Sequence, residues 1–381
     1  MFDFEATQEQ RQCADTARRF ARERMMPIAA ECDRQSRFPT ELLDEAHALG
    51  LLNARLPADY GGPGLGYVAS TLVIEQLAYA CSGIQASLTA NGLGLTPLVL
   101  AGSDAQKRKY LGWLATAPAL VSLAASEATA GSDLAAMECR AVRDGCGGWA
   151  LHGTKAWVTN ATLASFFVVF ATVDPALRQR GICAFVVERA KRGVATGRPI
   201  GKLGQRASDT ASLVLDDVHV APDDVLAPPG YGFQLAMETF NRTRPDIAAA
   251  GVGIMSRCLD ESMAYAAQRT TFGVPIARHQ LVAAMLAEMR IRVEAATLLT
   301  RKAGWSIDRG RVDPILSSCA KALGADAAMH TAIDAVQVFG GYGYSSDYPV
   351  EKLMRDAKVL QIYEGTSEVQ RLIIARQMMT R

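Results

Sequence analysis

The sequence lacks the residue spacings that hold metal ions or build disulfide frameworks. Its eight cysteines include no C-x-x-C pair, and most lie within apolar stretches such as GICAFVV around Cys183. Its five histidines are scattered, with no pairing of the kind that binds a metal. We therefore expect buried, reduced thiols and no metal site.

The sequence also lacks an excess of one charge and any hydrophobic run long enough to span a bilayer. Lys plus Arg number 40 and Asp plus Glu 39, so no overall field attracts nucleic acid or an anionic membrane. The N-terminus has no apolar signal core, and we expect a soluble intracellular protein. The missing transit peptide and the alanine- and arginine-rich composition fit the bacterial cytosol, with a processed chain of the mitochondrial matrix as the alternative.

A dinucleotide-binding fingerprint is missing as well. No G-x-G-x-x-G follows a strand near the start, and GLGLTP at 92–97 does not have that spacing. At 381 residues the chain exceeds what one core usually organises, so two or three packed regions are expected. A flavin or nucleotide would therefore bind without a Rossmann fold.

Helical spacing of apolar residues dominates the chain except in its middle. It is present from about 7 to 116 and returns after the break APPGYG at 227–232, in long segments at about 233–269, 279–309, 313–339 and 367–379. Pro245 falls inside the first of these segments and is predicted to kink or restart it.

The middle of the chain has the pattern of β-strands. Its short segments are rich in Val and Phe and separated by turn residues: WALHGTKAWVT, SFFVVFATV, ICAFVVE and ASLVLDDVHV. The continuous apolar run at 166–173 is too short for a membrane span and predicts a strand buried on both faces. We predict an α+β, mostly α, fold with an N-terminal helical domain (1–119), a middle β domain (120–229) and a C-terminal helical bundle (230–381).

The segment IYEGTS at 362–367 places one carboxylate, Glu364, between Tyr363 and Gly365, just before a helix. A carboxylate held against apolar neighbours loses hydration and becomes a stronger base, and glycine lets a flat ligand approach the backbone. Abstraction of a carbon-bound proton requires such a base. The alternative is structural: Ser367 caps the helix, Gln370 completes a capping box, and Glu364 merely lies near the positive helix end.

Seven separated strings, in order along the chain, resemble the acyl-CoA dehydrogenase family, and within it the medium-chain type. They are SEATAGSD (126–133), KAWVTN (155–160), GQRASDT (204–210), NRTRPDIAAAG (241–251), QRTTFGVPIARHQ (268–280), QVFGGYGYSSDYPVEKLMRDAK (337–358) and IYEGTSEVQRL (362–372). The resemblance implies the three-part family fold with a C-terminal four-helix bundle. It also implies an FAD enzyme that oxidises an acyl-CoA to a trans-2-enoyl-CoA and passes electrons to an electron-transfer flavoprotein.

In this family a glutamate removes the α-proton while the β-hydrogen leaves as hydride to flavin N5, and Glu364 matches that base. The thioester carbonyl then accepts hydrogen bonds from the main-chain N–H of the base residue and from an FAD hydroxyl. Some members place the base on the helix that carries the Thr-Arg-Pro sequence (243–245 here), at the position where this chain has Thr243. Glu238 and Asp246 are near in sequence but do not match that position, so the base is assigned to Glu364.

The resemblance implies further site residues. The flavin contacts are Leu123, Ala125, Ser126, Gly131, Ser132, Trp157 and Thr159, with Thr366 and Glu368 closing the site. The neighbouring subunit holds the FAD pyrophosphate and adenine through Arg269, Thr271, Phe272, Gln280, Gln337, Gly340 and Gly341. The substrate contacts are Ser132, Asn241, Arg244, Tyr363 and Gly365. FAD then bridges two chains, and a homotetramer built as a dimer of dimers is expected.

Three of these assignments have structural alternatives. Ser126 is also compatible with an ordinary turn, and Trp157 with the core of the β domain. Asn241 and Arg244 are equally compatible with a solvated helix face. The first flavin string departs from the usual TEPGAGSD, because Ala128 and Thr129 replace proline and glycine, which puts the shape of the loop in doubt.

The acyl chain is expected to be neutral and short to medium in length. The family's acyl tunnel matches residues 66–100, where Glu75 is the single charged residue. With no Lys or Arg there, a distal carboxylate or sulfinate would be buried unpaired. Thr89 stands where the medium-chain type can carry a larger acidic residue, so we expect a tunnel of different depth.

Two other classes of function were weighed. An acyl-CoA oxidase is usually much longer, and a desulfinase is disfavoured by the missing tunnel arginine. A flavin-containing binding or DNA-associated relative should show a basic face or a missing base, whereas this chain has balanced charge and retains Glu364.

Overall fold

The N-terminal third of the chain is helical. The computed structural model describes residues 5–145 and 147–379, and the first helix begins at a capping box in which Thr7 and Gln10 exchange side-chain to main-chain hydrogen bonds. The helices are α1 (Gln8–Phe20), α2 (Met26–Gln35), α3 (Leu43–Ala48), α4 (Tyr67–Thr89), α5 (Asn91–Ala101), α6 (Asp104–Gln106) and α7 (Gly112–Thr116).

The middle region forms an eight-stranded sheet. Its strands are β1 (Val121–Ala124), β2 (Arg140–Arg143), β3 (Trp149–Thr159), β4 (Phe166–Thr172), β5 (Ile182–Glu188), β6 (Val194–Thr196), β7 (Thr210–Val220) and β8 (Val225–Ala227). The order is β6-β7-β3-β2-β4-β5-β8, and β1 pairs with β4 in parallel. Every residue of β4 is buried, which confirms the strand predicted to be covered on both faces.

One irregularity of the sheet matters for function. β3 and β7 pair antiparallel from Trp149 and Val220 to Thr159 and Thr210, but their register shifts between Lys155 and Val158. Such a bulge redirects side chains and increases the local twist. It therefore sets the direction of Trp157.

The last third is a helical bundle. Its helices are α8 (Gly232–Gln268), α9 (Gln280–Asp308), α10 (Pro314–Phe339), α11 (Val350–Lys358) and α12 (Ser367–Met379), with a two-strand hairpin of β9 (Thr270–Thr271) and β10 (Val274–Pro275) between α8 and α9. The predicted mostly helical fold is confirmed. Of the two effects predicted for Pro245, a restart of the helix is wrong, because α8 continues through that residue, and a kink stays a prediction. Buried residues on both sides, Thr243 and Arg244 before it and Ile247 to Ala250 after it, hold the helix together across the missing N–H.

Helix α4 joins the two main cores. Val73 and Leu77 pack in the core shared by the N-terminal helices and the sheet, whereas Ile74 and Ala78 pack in the core of the bundle. A helix that is apolar on all sides is expected to be buried in this way. Across the described parts of the chain, no helix combines the length and apolar character that crossing a bilayer needs.

The described cysteines agree with the expected burial in most cases. Cys32, Cys81, Cys139, Cys183 and Cys258 are buried free thiols, and Cys13 and Cys319 are half-buried. Cys146 lies outside the described residues.

Candidate active site

The loop that carries Glu364 has an unusual backbone. Glu364 has φ 51° and Gly365 has φ 89°, so two successive residues lie in the left-handed region. This region costs a glutamate free energy and is tolerated where the surroundings hold it. Lys321, which is fully buried, donates to the Gly365 carbonyl at 2.6 Å. Gln370 donates to the carbonyls of Glu364 (3.2 Å) and Gly365 (2.9 Å).

The predicted capping-box alternative is wrong. The capping side chain is that of Thr366 and not that of Ser367: the Thr366 hydroxyl oxygen accepts a hydrogen bond of 3.2 Å from the main-chain N–H of Val369. The Ser367 hydroxyl donates instead to Asp326 at 2.8 Å. Gln370 turns back to hold the loop, because the left-handed backbone at 364–365 presents its carbonyls to that side chain. The helix start therefore serves to fix the loop.

The surroundings of Glu364 make its carboxylate more basic than an ordinary one. Its Oε2 accepts a hydrogen bond of 2.7 Å from the Thr243 hydroxyl of α8. Burial raises the pKa of Glu364 to about 7, and the negative charge of Asp246 acts in the same direction. The Thr243 hydroxyl, Lys321 and Arg244 oppose that rise because they stabilise the charged form. A carboxyl group with this pKa is ionised and protonated in comparable amounts near neutral pH, which suits proton transfer.

Arg244 of α8 lies near enough to Glu364 to act on its charge, and Asn241 is the hydrogen-bond partner of Arg244. The Arg244 guanidinium is buried, donates to Asn241 Oδ1 at 2.5 Å, and has no partner for its Nε. Burial lowers the pKa of Arg244 to about 10, while Glu364 counteracts that effect. The alternative that Arg244 forms a solvated face is therefore wrong, since the bundle packs over it.

Tyr363 connects the loop to the rest of the protein. Its hydroxyl accepts a 3.4 Å hydrogen bond from Gln205, which also donates through its main chain to Asp356 (2.5 Å) and through its side chain to Ser82 (2.6 Å). Burial raises the pKa of the Tyr363 phenol. Gly204 makes this junction possible, because a Cβ there would lie 2.0 Å from the Arg355 carbonyl oxygen. The GQRASDT string thus braces the loop rather than contacting Glu364.

A second group of predicted residues surrounds the first loop of the β domain. Leu123, Ala125 and Ser126 are half-buried or buried, and Gly131 and Ser132 are exposed. Lys155 is fully buried and donates to Glu127 (2.6 Å) and to the Ala125 carbonyl (3.1 Å). The sequence does not predict this pair, although Glu127 lies in SEATAGSD and Lys155 in KAWVTN. Thr129 is not among the residues with positive φ, so the departure from glycine causes no strain there.

The bulge in β3 presents Trp157 outward. The residue has φ 59° and the indole is 61% exposed, so the alternative that it fills the β-domain core is wrong. Thr159, two residues on, is half-buried, and its carbonyl accepts from Ser122 at 2.6 Å. A large aromatic face held open on a rigid strand is a suitable surface for a planar cofactor.

A third group lies at the hairpin after α8 and the end of α10. The Phe272 ring is 97% exposed at φ 50°, and Thr271 hydrogen-bonds His279 at 3.0 Å. The Arg269 guanidinium lies 5.5 Å from the centre of the Tyr342 ring, which joins the two segments. The other predicted members, Gln280, Gln337, Gly340 and Gly341, are exposed. No hydrogen bond within residues 5–145 and 147–379 links this group to Glu364. Of the predicted residues at the start of α12, Thr366 is half-buried and Glu368 is exposed.

Two arginines from outside residues 66–100 reach that part of the structure. Arg301 of α9 pairs with buried Glu75 at 2.6 Å, and Arg55, before α4, pairs with Asp246 of α8 at 2.6 Å. The prediction that no cation lies near residues 66–100 is wrong. Both arginines come from other parts of the sequence and are brought there by the packing of the helices. Both are already neutralised by a carboxylate. Arg55 also borders a cleft of about 300 Å³.

Three family models match the sequence. Residues 7–118 match the N-terminal domain, 122–218 the middle domain and 230–379 the C-terminal domain of acyl-CoA dehydrogenases.

The chain is also similar along its whole length to individual proteins. It is 40% identical to a probable medium-chain specific acyl-CoA dehydrogenase 2, mitochondrial, of Caenorhabditis briggsae, over 99% of this chain and 92% of that protein. A structure of butyryl-CoA dehydrogenase from Megasphaera elsdenii has a TM-score of 0.97 and 34% identity, covering 99% and 100% of the two chains. A structure described under the electron transferring flavoprotein of Acidaminococcus fermentans has a TM-score of 0.97 and 35% identity, covering 100% of both chains.

Proposed function

The chain belongs to the acyl-CoA dehydrogenase family, and we propose that it dehydrogenates a neutral, short- to medium-chain acyl-CoA with Glu364 as the base. The protein is a flavin-dependent oxidoreductase, and FAD is the cofactor of this family. One observation carries the assignment of the base: a carboxylate with a pKa of about 7 is held in a strained loop opposite a hydroxyl of α8.

Glu364 takes the α-proton of the thioester. Its raised pKa brings the carboxylate closer in proton affinity to a weak carbon acid, and the fixed loop removes the need to order the base during the reaction. We propose that the main-chain N–H of Glu364 donates a hydrogen bond to the thioester carbonyl oxygen. This bond stabilises the negative charge that develops on that oxygen as the proton leaves. The buried charges of Arg244 and Lys321 keep part of the Glu364 population ionised.

The residues of the β-domain loop fit a bound flavin. The exposed Trp157 indole offers a flat surface, and no atom lies within 4 Å of a Cβ position at Gly131, which leaves the loop open to a ligand. Ser126 would donate a hydrogen bond to the pyrimidine edge of the ring, Ser132 would contact both the flavin and the pantetheine arm, and Thr159 would lie with Trp157 at the N5 side. FAD, when bound, accepts the hydride that leaves Cβ of the substrate.

The quaternary structure and the electron acceptor are part of the same proposal. The exposed group at Arg269, Phe272 and Gln337 is assigned to the FAD of a neighbouring subunit in a homotetramer built as a dimer of dimers. Electrons are assigned to an electron-transfer flavoprotein, which the description of one similar structure supports.

The domain boundaries and the location are also proposals. We divide the chain into domains at 1–119, 120–229 and 230–381. We place the protein in the bacterial cytosol, which the two bacterial structural relatives support, while the name of the nematode relative supports the mitochondrial matrix as the alternative.

The test compares Glu364→Gln with the wild type. Bleaching of bound FAD at about 450 nm is followed on mixing with acyl-CoAs from butyryl to dodecanoyl, and a reduced electron-transfer flavoprotein is sought as the product of coupled turnover. The variant should bind FAD normally but bleach at least about 100-fold more slowly, since a general base contributes that much or more.

Glu45→Gln is the matched control, because Glu45 makes a partly exposed ion pair with Arg24 at 2.9 Å and should leave bleaching unchanged. Fast bleaching by Glu364→Gln would refute the assignment of the base. Failure of the FAD-loaded wild type to bleach with any member of the series would refute the proposed substrate class.

A further inference from the structure

Arg55 and Asp246 form a buried ion pair that the proposed catalysis does not use. The Arg55 side chain is 6% exposed and that of Asp246 is 15% exposed. Arg55 Nη1 donates to both carboxylate oxygens of Asp246, at 2.7 and 2.6 Å. The guanidinium also lies 4.7 Å from the centre of the Tyr67 ring.

Two nitrogen atoms of the Arg55 guanidinium remain without a partner. Nε and Nη2 are buried and make no hydrogen bond within the described residues. Leaving the donors of a buried charged group unsatisfied is costly, and such groups usually have a partner. Nη2 faces Gly92, where a Cβ would come within 2.8 Å of it.

A small cavity lies next to this guanidinium. Its volume is about 20 Å³, and its lining combines polar residues, among them Arg55, Asp246 and Ser70, with apolar ones such as Leu51 and Ile74. A cavity of this size beside a charged group holds one water molecule or one small polar group.

The cavity lies close to the proposed base along α8. Thr243, which holds the Glu364 carboxylate, and Asp246 are three residues apart, so they share a helix face and are separated by about 4.5 Å along the axis. Asp246 also acts electrostatically on Glu364. An acyl chain that starts at Glu364 and follows this face of α8 would run towards the Arg55–Asp246 pair.

The charge of the site favours a neutral group. Asp246 already neutralises Arg55, and Glu364 adds a second carboxylate nearby. A carboxylate on the substrate would therefore be buried without its own counter-ion. A neutral oxygen accepts from Nε or Nη2 without that cost.

Building on the proposed function, we propose that the acyl group carries a neutral oxygen, as a hydroxyl or carbonyl near its far end, which accepts a hydrogen bond from Arg55. The competing explanation is that the cavity holds only a water molecule and the ion pair simply closes the tunnel.

The test measures binding without turnover. In the FAD-loaded Glu364→Gln variant, dissociation constants are measured by calorimetry for isosteric pairs: 4-hydroxybutyryl-CoA against pentanoyl-CoA, and 4-oxopentanoyl-CoA against 4-methylpentanoyl-CoA. The oxygen-bearing member should bind at least about 10-fold more tightly in one pair, the discrimination typical of a hydrogen bond to a charged group. Glutaryl-CoA, with a distal carboxylate, should bind more weakly than that member.

Two variants assign the preference to Arg55. Arg55→Met with Asp246→Leu removes the pair without leaving a lone buried charge, so binding of plain acyl-CoAs should persist and the preference should disappear. Gly92→Ala keeps both charges and fills the space at Nη2, and it should also reduce the preference. Lys191→Met with Asp224→Leu is the control, because it removes another half-buried pair, in the β domain, and should keep the preference.

The possible outcomes separate this inference from the proposed function. Equal binding within each pair, or a preference that survives both Arg55-site variants, overturns the inference in favour of a water-filled cavity. Tightest binding of glutaryl-CoA overturns the neutral-group argument. Neither result affects the proposed dehydrogenation, which is refuted instead if neither the oxygen-bearing nor the plain acyl-CoAs bleach the FAD-loaded wild type.

Discussion

Replacement of Thr243 by valine should move the pH at which the enzyme becomes active. The Thr243 hydroxyl donates to Glu364 at 2.7 Å and so favours the ionised carboxylate, which limits the rise that burial causes to a pKa of about 7. Valine has nearly the same shape but no hydroxyl. The pKa of Glu364 should therefore rise in Thr243→Val.

The size of the shift follows from the strength of the lost bond. A hydrogen bond to a charged group contributes about 1.5–3 kcal/mol, and one pKa unit corresponds to about 1.4 kcal/mol, so the shift should be about 1–2 units. Because the base must be ionised to take the proton, the rate near pH 7 should fall by roughly 10-fold and recover above about pH 9. The sign is fixed: the activity curve moves to higher pH.

Stopped-flow bleaching of FAD at low substrate concentration, measured across pH, reports the pKa of the free enzyme. Thr239→Val is the matched control, because Thr239 is buried on the same helix and donates to the Leu235 carbonyl at 2.8 Å rather than to Glu364. An inflection that stays in place in Thr243→Val, or an equal loss of rate at every pH, would show that Thr243 does not tune the base.

Two further predictions concern the loop and the subunit interface. Lys321→Met removes the donor to the Gly365 carbonyl and a cation that lowers the pKa of Glu364. The inflection of the pH–rate profile should therefore move to higher pH. A loss of thermal stability with an unmoved inflection would assign Lys321 a purely structural role. Arg269→Ala and Glu364→Gln should each be inactive, yet subunit exchange between them should restore up to about a quarter of wild-type activity, because half of the sites in mixed pairs combine two intact residues. If subunits are shown to exchange and activity does not recover, Arg269 acts in the site of its own subunit and not in that of a neighbour.

The candidate site was partly predictable because its strings are local. The segment IYEGTS, with its single carboxylate, pointed to Glu364. The Thr-Arg-Pro sequence at 243–245 pointed to the part of α8 that faces Glu364. The sequence did not predict the bulge in β3, since a register shift depends on the partner strand β7. The sequence is therefore compatible with Trp157 either in the core or against a cofactor, and only its 61% exposure in the fold excludes the core.

The amino-acid sequence by itself determined where the helices and strands lie, because periodicity and turn residues act over a few neighbouring positions. Only the tertiary structure decided which side chains meet. Thr243 and Glu364 are 121 positions apart, and Arg55 and Asp246 are 191 apart. Contacts of that kind arise when whole helices pack together, and no local pattern records which faces will come into register.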